Sequence, residues 1–194
     1  MSTRNSGRGE ESEGSRRTYV IIAVVAAVII GGFITLAVID SRQRAASTPP
    51  GDVETVDVGP TRQHTEEDVN YKQSPPAGGD HNPVWQNCGY YDEPVRNETA
   101  VHSLEHGAVW ITYSPDLPND QLNVLRERAT NETYLLVSPM EDLPSPVVAS
   151  SWGKQVQLED AESEDLDRFI RAFREGPDTP EPGAACTGGV GEPS

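Results

Sequence analysis

All four histidines of this 194-residue chain fall between residues 64 and 106, at His64, His81, His102 and His106. Imidazole is the commonest protein ligand for transition metals and the one side chain that ordinarily titrates near neutral pH. The last two stand four apart in Val101-His102-Ser103-Leu104-Glu105-His106-Gly107. On a helix such positions lie about 5–6 Å apart at Cβ, and both imidazoles reach one ion. On a strand the same pair lies roughly 13 Å apart and cannot share a ligand. The chemistry therefore depends on which element forms.

A short helix is expected. Asn97 serves as its N-cap, Glu98 lies in its first turn and Gly107 suits the residue just past its end. Helical spacing places Glu98, His102, Glu105 and His106 within a wedge of about 100°, with Ser103, Ala100, Val101 and Leu104 outside it. This polar stripe reads three ways: a metal or catalytic site, the solvated face of a surface helix, or a buried histidine network. As a metal site it would hold copper or zinc through His102 and His106, with His81 and His64 completing the set. Glu98 or Glu105 could replace one imidazole. Met1 and Met140 are the only methionines, which excludes a methionine-rich copper(I) site.

His102-Ser103-Leu104-Glu105-His106 also fits H-x-x-E-H, the inverted zinc-peptidase signature, in which the two histidines bind zinc and Glu105 activates water. That motif normally sits on a long helix, whereas Gly107 ends this one and a strand follows at once. A binding or accessory role, including that of a partner protein in an envelope complex, is expected before an enzymatic one. Pro75-Pro76-Ala77-Gly78-Gly79-Asp80-His81 places a histidine at the end of a constrained turn, and Trp85, Trp110 and Trp152 read as core and rim aromatics. Cys88 and Cys186 stand near the two ends of the folded part. In an oxidising exterior they would pair, closing a loop of nearly a hundred residues with a stabilisation on the order of 4–5 kcal/mol. The alternative makes Cys88 a soft metal ligand near His81.

These residues need a scaffold. Strands are expected at 107–113 and 133–137, with weaker candidates at 147–151 and 155–158 either side of Trp152-Gly153-Lys154. One helix carries Leu122, Leu125 and Ala129 after a cap-like Asn119. Another repeats Leu166, Phe169, Ile170 and Phe173 at i, i+3, i+4 and i+7, with acidic residues at its start and Arg171 and Arg174 near its end. Together they make a small α+β domain, residues 69–188, with a mostly antiparallel sheet and two or three helices. Before it, residues 40–68 are polar and turn-rich and read as a flexible stalk. Residues 189–194 read as a loose tail, and residues 1–18, without an apolar residue after Met1, as a disordered cytoplasmic tail.

Tyr19 to Ile39 form 21 uncharged, mostly aliphatic positions. At about 1.5 Å per residue they span roughly 30 Å, the thickness of a bilayer hydrocarbon core, so membrane lipid is the expected partner of residues 19–39. A cleavable signal has an apolar region of only about 7–15 residues. Arg4, Arg8, Arg16 and Arg17 precede the run and Arg42 and Arg44 follow it, which places the N-terminus in the cytoplasm and the domain outside the cell membrane. The net charge of −16 agrees: residues 40–194 carry eleven basic against twenty-eight acidic side chains. An acidic balance of this size excludes nucleic acid as a partner, because binding a polyphosphate needs a positive face.

Several motifs occur in a characteristic order: the Pro75-to-His81 turn, Cys88-Gly89-Tyr90, the Val101-to-Tyr113 stretch, Ser150-Ser151-Trp152-Gly153 and Pro180-Glu181-Pro182-Gly183-Ala184-Ala185-Cys186. Over roughly residues 60–188 the chain resembles the bacterial family catalogued as domain of unknown function 3105, found widely in actinobacteria. The family pattern also has a histidine ahead of the Pro-Pro-Gly turn, a position that His64 matches. The resemblance implies a single-span membrane protein with an exterior domain. No activity comes with it.

Overall fold

The computed structural model describes residues 18–25, 28–32 and 48–194. Residues 18–25 and 28–32 are helical and exposed. The rest of the expected span, residues 26–27 and 33–39, lies outside the described residues, as do residues 1–17 of the expected tail and residues 40–47. Among the described residues no helix is long and apolar enough to cross a membrane.

The unit that begins at Ser47 is an α+β domain. Its strands are β1 (Glu54–Thr55), β2 (Gly89–Tyr90), β3 (Val109–Tyr113), β4 (Leu135–Pro139), β5 (Val147–Ser151) and β6 (Lys154–Leu158). Its helices are α1 (Asn97–Glu105), α2 (Asn119–Asn131) and α3 (Glu164–Phe173). The sheet order is β1-β6-β5-β3-β4-β2. The β1–β6, β6–β5 and β5–β3 pairings are antiparallel, so the antiparallel arrangement prevails. β4 runs parallel to both β3 and β2. The parallel pair arises because α2 carries the chain back from the end of β3 to the start of β4, the crossover that parallel strands require.

Helices cover both sheet faces, which explains why β3, β4 and β5 are buried along their whole length. Alternation along β3 divides the core. Val109, Ile111 and Tyr113 face the larger cluster, which holds Leu125 of α2 and Leu166, Phe169 and Ile170 of α3. Trp110 faces the other way and packs with Leu136 of β4 and with Ala100 and Leu104 of α1. Ser163 caps α3 by accepting a bond from the Asp165 amide, 3.2 Å. The expected caps Asn97 and Asn119 are instead the first residues of α1 and α2. The N-cap positions are Arg96 and Pro118, neither with a side-chain capping bond.

Two segments correct the expected domain boundaries. Residues 48–68 are no stalk: β1 closes the β6 edge in register with Gln155 and Lys154, and Val53 packs against the larger core. Arg96 further bonds the Glu66 carbonyl and the Asp68 carboxylate. Apart from Val53, these contacts are backbone and ionic, so no hydrophobic period announces them. The chain end is no loose tail either. Val190 exchanges backbone bonds with Trp85 and Asn87, and the Ser194 amide donates to the Tyr90 carbonyl. Small residues make this possible, because a side chain at Gly191 (φ +79°) would collide with Gln86 and Tyr91.

Gly107 ends α1 as expected, at φ +104°, and a Cβ there would lie 2.9 Å from the Cα of Glu175. Gly107→Ala is therefore expected to cost about 2–3 kcal/mol through backbone strain and lost close packing. Urea denaturation of the full-length chain measures it, and a cost below about 0.5 kcal/mol would contradict the close approach.

Candidate metal site

α1 has two different faces, and both are buried. Ala100 and Leu104 lie on the sheet, whereas Glu98, His102, Glu105 and His106 lie under loops. The reading of the polar stripe as a solvated helix face therefore fails. The covering loop is pinned to α1 by its backbone: the Asn82 amide donates to the Glu98 carbonyl, and the Gln86 amide to Thr99. Ser103, outside the wedge, also serves this attachment, donating to the Gln86 carbonyl at 2.7 Å.

The turn before His81 is buried as well. The Gly153 amide donates to the Ala77 carbonyl, and Gln155 bonds the Pro75 carbonyl at 3.0 Å, so the turn rests on the β5–β6 hairpin. His81 exchanges backbone bonds with the chain at residues 63 and 65, which places His64 beside it. Asp80 strengthens this arrangement by accepting from the Gln63 amide at 2.7 Å. The four histidines thus meet from three stretches of chain. Ring centroids are 4.9 Å apart for His81 and His102, 5.1 Å for His64 and His102, and 4.5 Å for His102 and His106.

Hydrogen bonding determines which nitrogen each ring presents. His81 Nδ1 lies 2.8 Å from the Gly79 carbonyl, His102 Nδ1 2.6 Å from the Asn82 carbonyl and His106 Nδ1 2.6 Å from the Ala185 carbonyl. A carbonyl only accepts, so all three Nδ1 atoms carry hydrogen, and each neutral ring offers an Nε2 lone pair. Metal-binding histidines are commonly held in this way, the far nitrogen donating to a carbonyl while the near one ligates.

The Nε2 atoms converge. His102 Nε2 is 3.0 Å from His106 Nε2, and His81 Nε2 is 2.9 Å from Glu105 Oε2. Two lone pairs, or a lone pair and a carboxylate, repel at that distance unless a proton or a metal cation stands with them. Nitrogens bound to one ion at about 2.0–2.1 Å lie roughly 2.9–3.4 Å apart for right-angled to tetrahedral geometry, which matches the histidine pair. The donor atoms of His64, His81, His102 and Glu105 all lie within 4.8 Å of one another. His106 joins this group through His102.

The donors differ in exposure. His81, His102, Glu105 and His106 are buried, whereas the His64 side chain is 52% exposed. Arg62 stands beside the opening, its guanidinium 3.9 Å from Glu105 Oε1. Trp85 packs against His102 and His106, and Trp152 meets the His81 ring edge-on. These two tryptophans wall the site.

Two expected candidates are engaged elsewhere. Glu98 accepts from the Val69 amide and from Arg96 Nε, each at 2.9 Å, which leaves it outside the donor group. Cys88 is bonded to Cys186 and cannot be a soft ligand. His102 and His106 sit four apart on α1 and its C-cap, with their Nε2 atoms 3.0 Å apart. Sequence reasoning missed the carbonyls of Gly79, Asn82 and Ala185, because every residue carries one. It also missed Arg62 and Glu181. The Glu181 carboxylate lies 4.0 Å from His106 Nε2.

A small α+β domain with a histidine–glutamate group, buried except at His64, is the class these observations define. The chain belongs to the family described as protein of unknown function (DUF3105), whose model matches residues 62–188. That span contains all four histidines, Glu105 and both cysteines. No curated protein and no solved structure matches the chain.

Burial pushes the His102 imidazolium below its ordinary pKa of 6.5; the Asn82 carbonyl opposes this, and the neighbouring His106, His81 and His64 add to it. The unfolded chain therefore takes up this proton before the folded one does. Metal-free protein should keep the corresponding stability above about pH 6.5 and lose it as pH falls through that value toward the folded pKa. Denaturant midpoints between pH 8 and 5 measure the loss, which His102→Asn should reduce. A midpoint independent of pH in the wild type would refute the assignment.

Proposed function

We propose that this is a membrane-anchored, extracytoplasmic domain that holds one transition-metal ion, copper(II) or zinc, at His64, His81, His102 and Glu105 with His106 beside them. The observation that carries the metal reading is the set of three Nδ1–H groups held by backbone carbonyls, which leaves the Nε2 lone pair of His81 against Glu105 and those of His102 and His106 against each other. Imidazole and carboxylate donors without a thiolate suit copper(II) and zinc. The disulfide supports an oxidising compartment, and the 21-residue apolar run with its preceding arginines supports an anchor whose C-terminal side lies outside. The proposal assigns no reaction. Hydrolysis at zinc through Glu105 would require Glu105→Gln to abolish turnover while sparing metal binding.

Purified full-length chain, treated with chelator and then titrated with zinc or copper(II), should bind one equivalent. His81→Ala or His102→Ala should each remove most of the affinity, and the double variant should lose little more than either, since the donors act as a unit. Affinity should also fall as pH drops through about 6, because a protonated imidazole cannot ligate. If wild-type protein takes up no metal, the histidines are structural and an accessory role in an envelope complex replaces this reading.

For the location, protease added to intact spheroplasts should remove the domain and spare the N-terminal tail. Protection of the domain would overturn the orientation.

A further inference from the structure

We propose that the strap Glu181–Cys186, closed by the Cys88–Cys186 disulfide, is the positioning element that brings His106 into the donor set, so that metal affinity depends on that disulfide. This inference rests on the metal-binding reading and adds residues to it that lie far from the histidines in sequence.

The strap has no helix or strand of its own, so its attachments alone place it. Two of them reach the end of α1, where backbone carbonyls lack intrahelical partners. The Glu181 amide donates to the Glu105 carbonyl at 2.9 Å and the Gly183 amide to the His106 carbonyl at 3.2 Å. In the opposite sense, His106 Nδ1–H donates to the Ala185 carbonyl at 2.6 Å. Tyr134 holds the strap from the sheet side, its hydroxyl donating to the Ala184 carbonyl at 3.0 Å. Immediately after Ala185 comes Cys186, joined to Cys88 both by the disulfide and by a bond from the Cys88 amide to its carbonyl, 2.7 Å.

His106 differs from its neighbours in what fixes its ring. The Gly79 carbonyl that holds His81 is two residues away in sequence, and the Asn82 carbonyl belongs to a loop bonded along α1. The Ala185 carbonyl lies 79 residues from His106 and next to a cross-link that spans 98. With the cross-link gone, hydrogen bonds alone hold the strap, and whenever Ala185 moves away the His106 proton can settle on Nε2, where it blocks ligation. The strap also carries Glu181, whose carboxylate lies 4.0 Å from His106 Nε2 and offers negative charge on that side of the ion.

The test compares full-length wild type with the Cys88→Ser/Cys186→Ser double variant, which avoids adding thiols that would themselves bind metal. Zinc affinity is read by competition with a chromogenic chelator, and imidazole tautomers by proton–nitrogen correlation spectra of the metal-free proteins. The double variant should bind zinc about 10–100-fold more weakly, the usual effect of losing a ligand's outer partner. His106 alone should lose its Nδ1–H signature, while His81 and His102 keep theirs. Affinity within twofold of wild type, with His106 still protonated on Nδ1, would overturn the proposal and leave the metal reading standing. Absence of zinc binding by wild type would overturn both. If the double variant does not fold, Tyr134→Phe decides, since it loosens the strap at Ala184 without touching the disulfide or any donor. It should weaken zinc binding severalfold and shift the His106 tautomer; no change in either would overturn the proposal.

Discussion

Three bonds from imidazole Nδ1–H to backbone carbonyls set the character of this protein. They fix the tautomers of His81, His102 and His106, and hence the direction of each Nε2 lone pair. None of the three carbonyls lies on α1, the element that presents His102 and Glu105. Gly79 and Asn82 flank His81 in the covering loop, and Ala185 lies on the strap beyond α3. The donor group therefore exists only where helix, loop and strap have come together. An unfolded chain has the same histidines but neither the tautomers nor the convergence.

The rest of the fold serves to bury α1 from two sides. Trp110 and Leu136 offer an apolar platform to Ala100 and Leu104, which leaves the polar stripe facing away from the sheet. In most small domains that stripe would meet water. Here the turn-rich segments 62–87 and 181–191 cover it, and they are held by backbone bonds and a disulfide rather than by apolar side chains of their own. Gly107 makes the junction possible: α1 ends, the chain reverses at positive φ, and the backbone at Glu175 packs directly against it.

The sequence was informative wherever a periodicity or spacing has a local cause. The i, i+3, i+4, i+7 pattern marks α3, the run 147–151 matches β5, and the i, i+4 histidines are a pair because the helix is real. Gly107 and the cysteine pair were legible for the same reason: each residue type has few alternative uses. The reading failed where partners are distant and chemically ordinary. Nothing in residues 48–68 announces that β1 will close β6, or that His64 will lie beside His81 through backbone bonds. Small residues near the C-terminus look loose because they lack side chains, yet that lack lets the backbone approach Trp85 and Tyr91. The caps at Asn97 and Asn119 were one residue late, since Arg96 and Pro118 stand at the boundaries without side-chain bonds.

The burial of the site has a thermodynamic consequence that separates it from a chance cluster of side chains. Imidazole lone pairs and a carboxylate withdrawn from water raise the free energy of the folded state unless protons or a cation compensate them. Protons do so poorly at His102, where burial and three neighbouring rings depress the pKa. Under the proposed reading a divalent cation would also lose its hydration, but several donors at once would replace it, the Nδ1–H bonds would remain in place and the carboxylate of Glu105 would offset part of its charge. The same preorganisation that disfavours protonation would suit the proposed metal ion, whose binding free energy would become folding free energy for the segments that cover α1. Those segments have little apolar core of their own. An ion that draws His64, His81 and α1 together would stabilise the covering loop by the same contacts through which the loop positions the ligands.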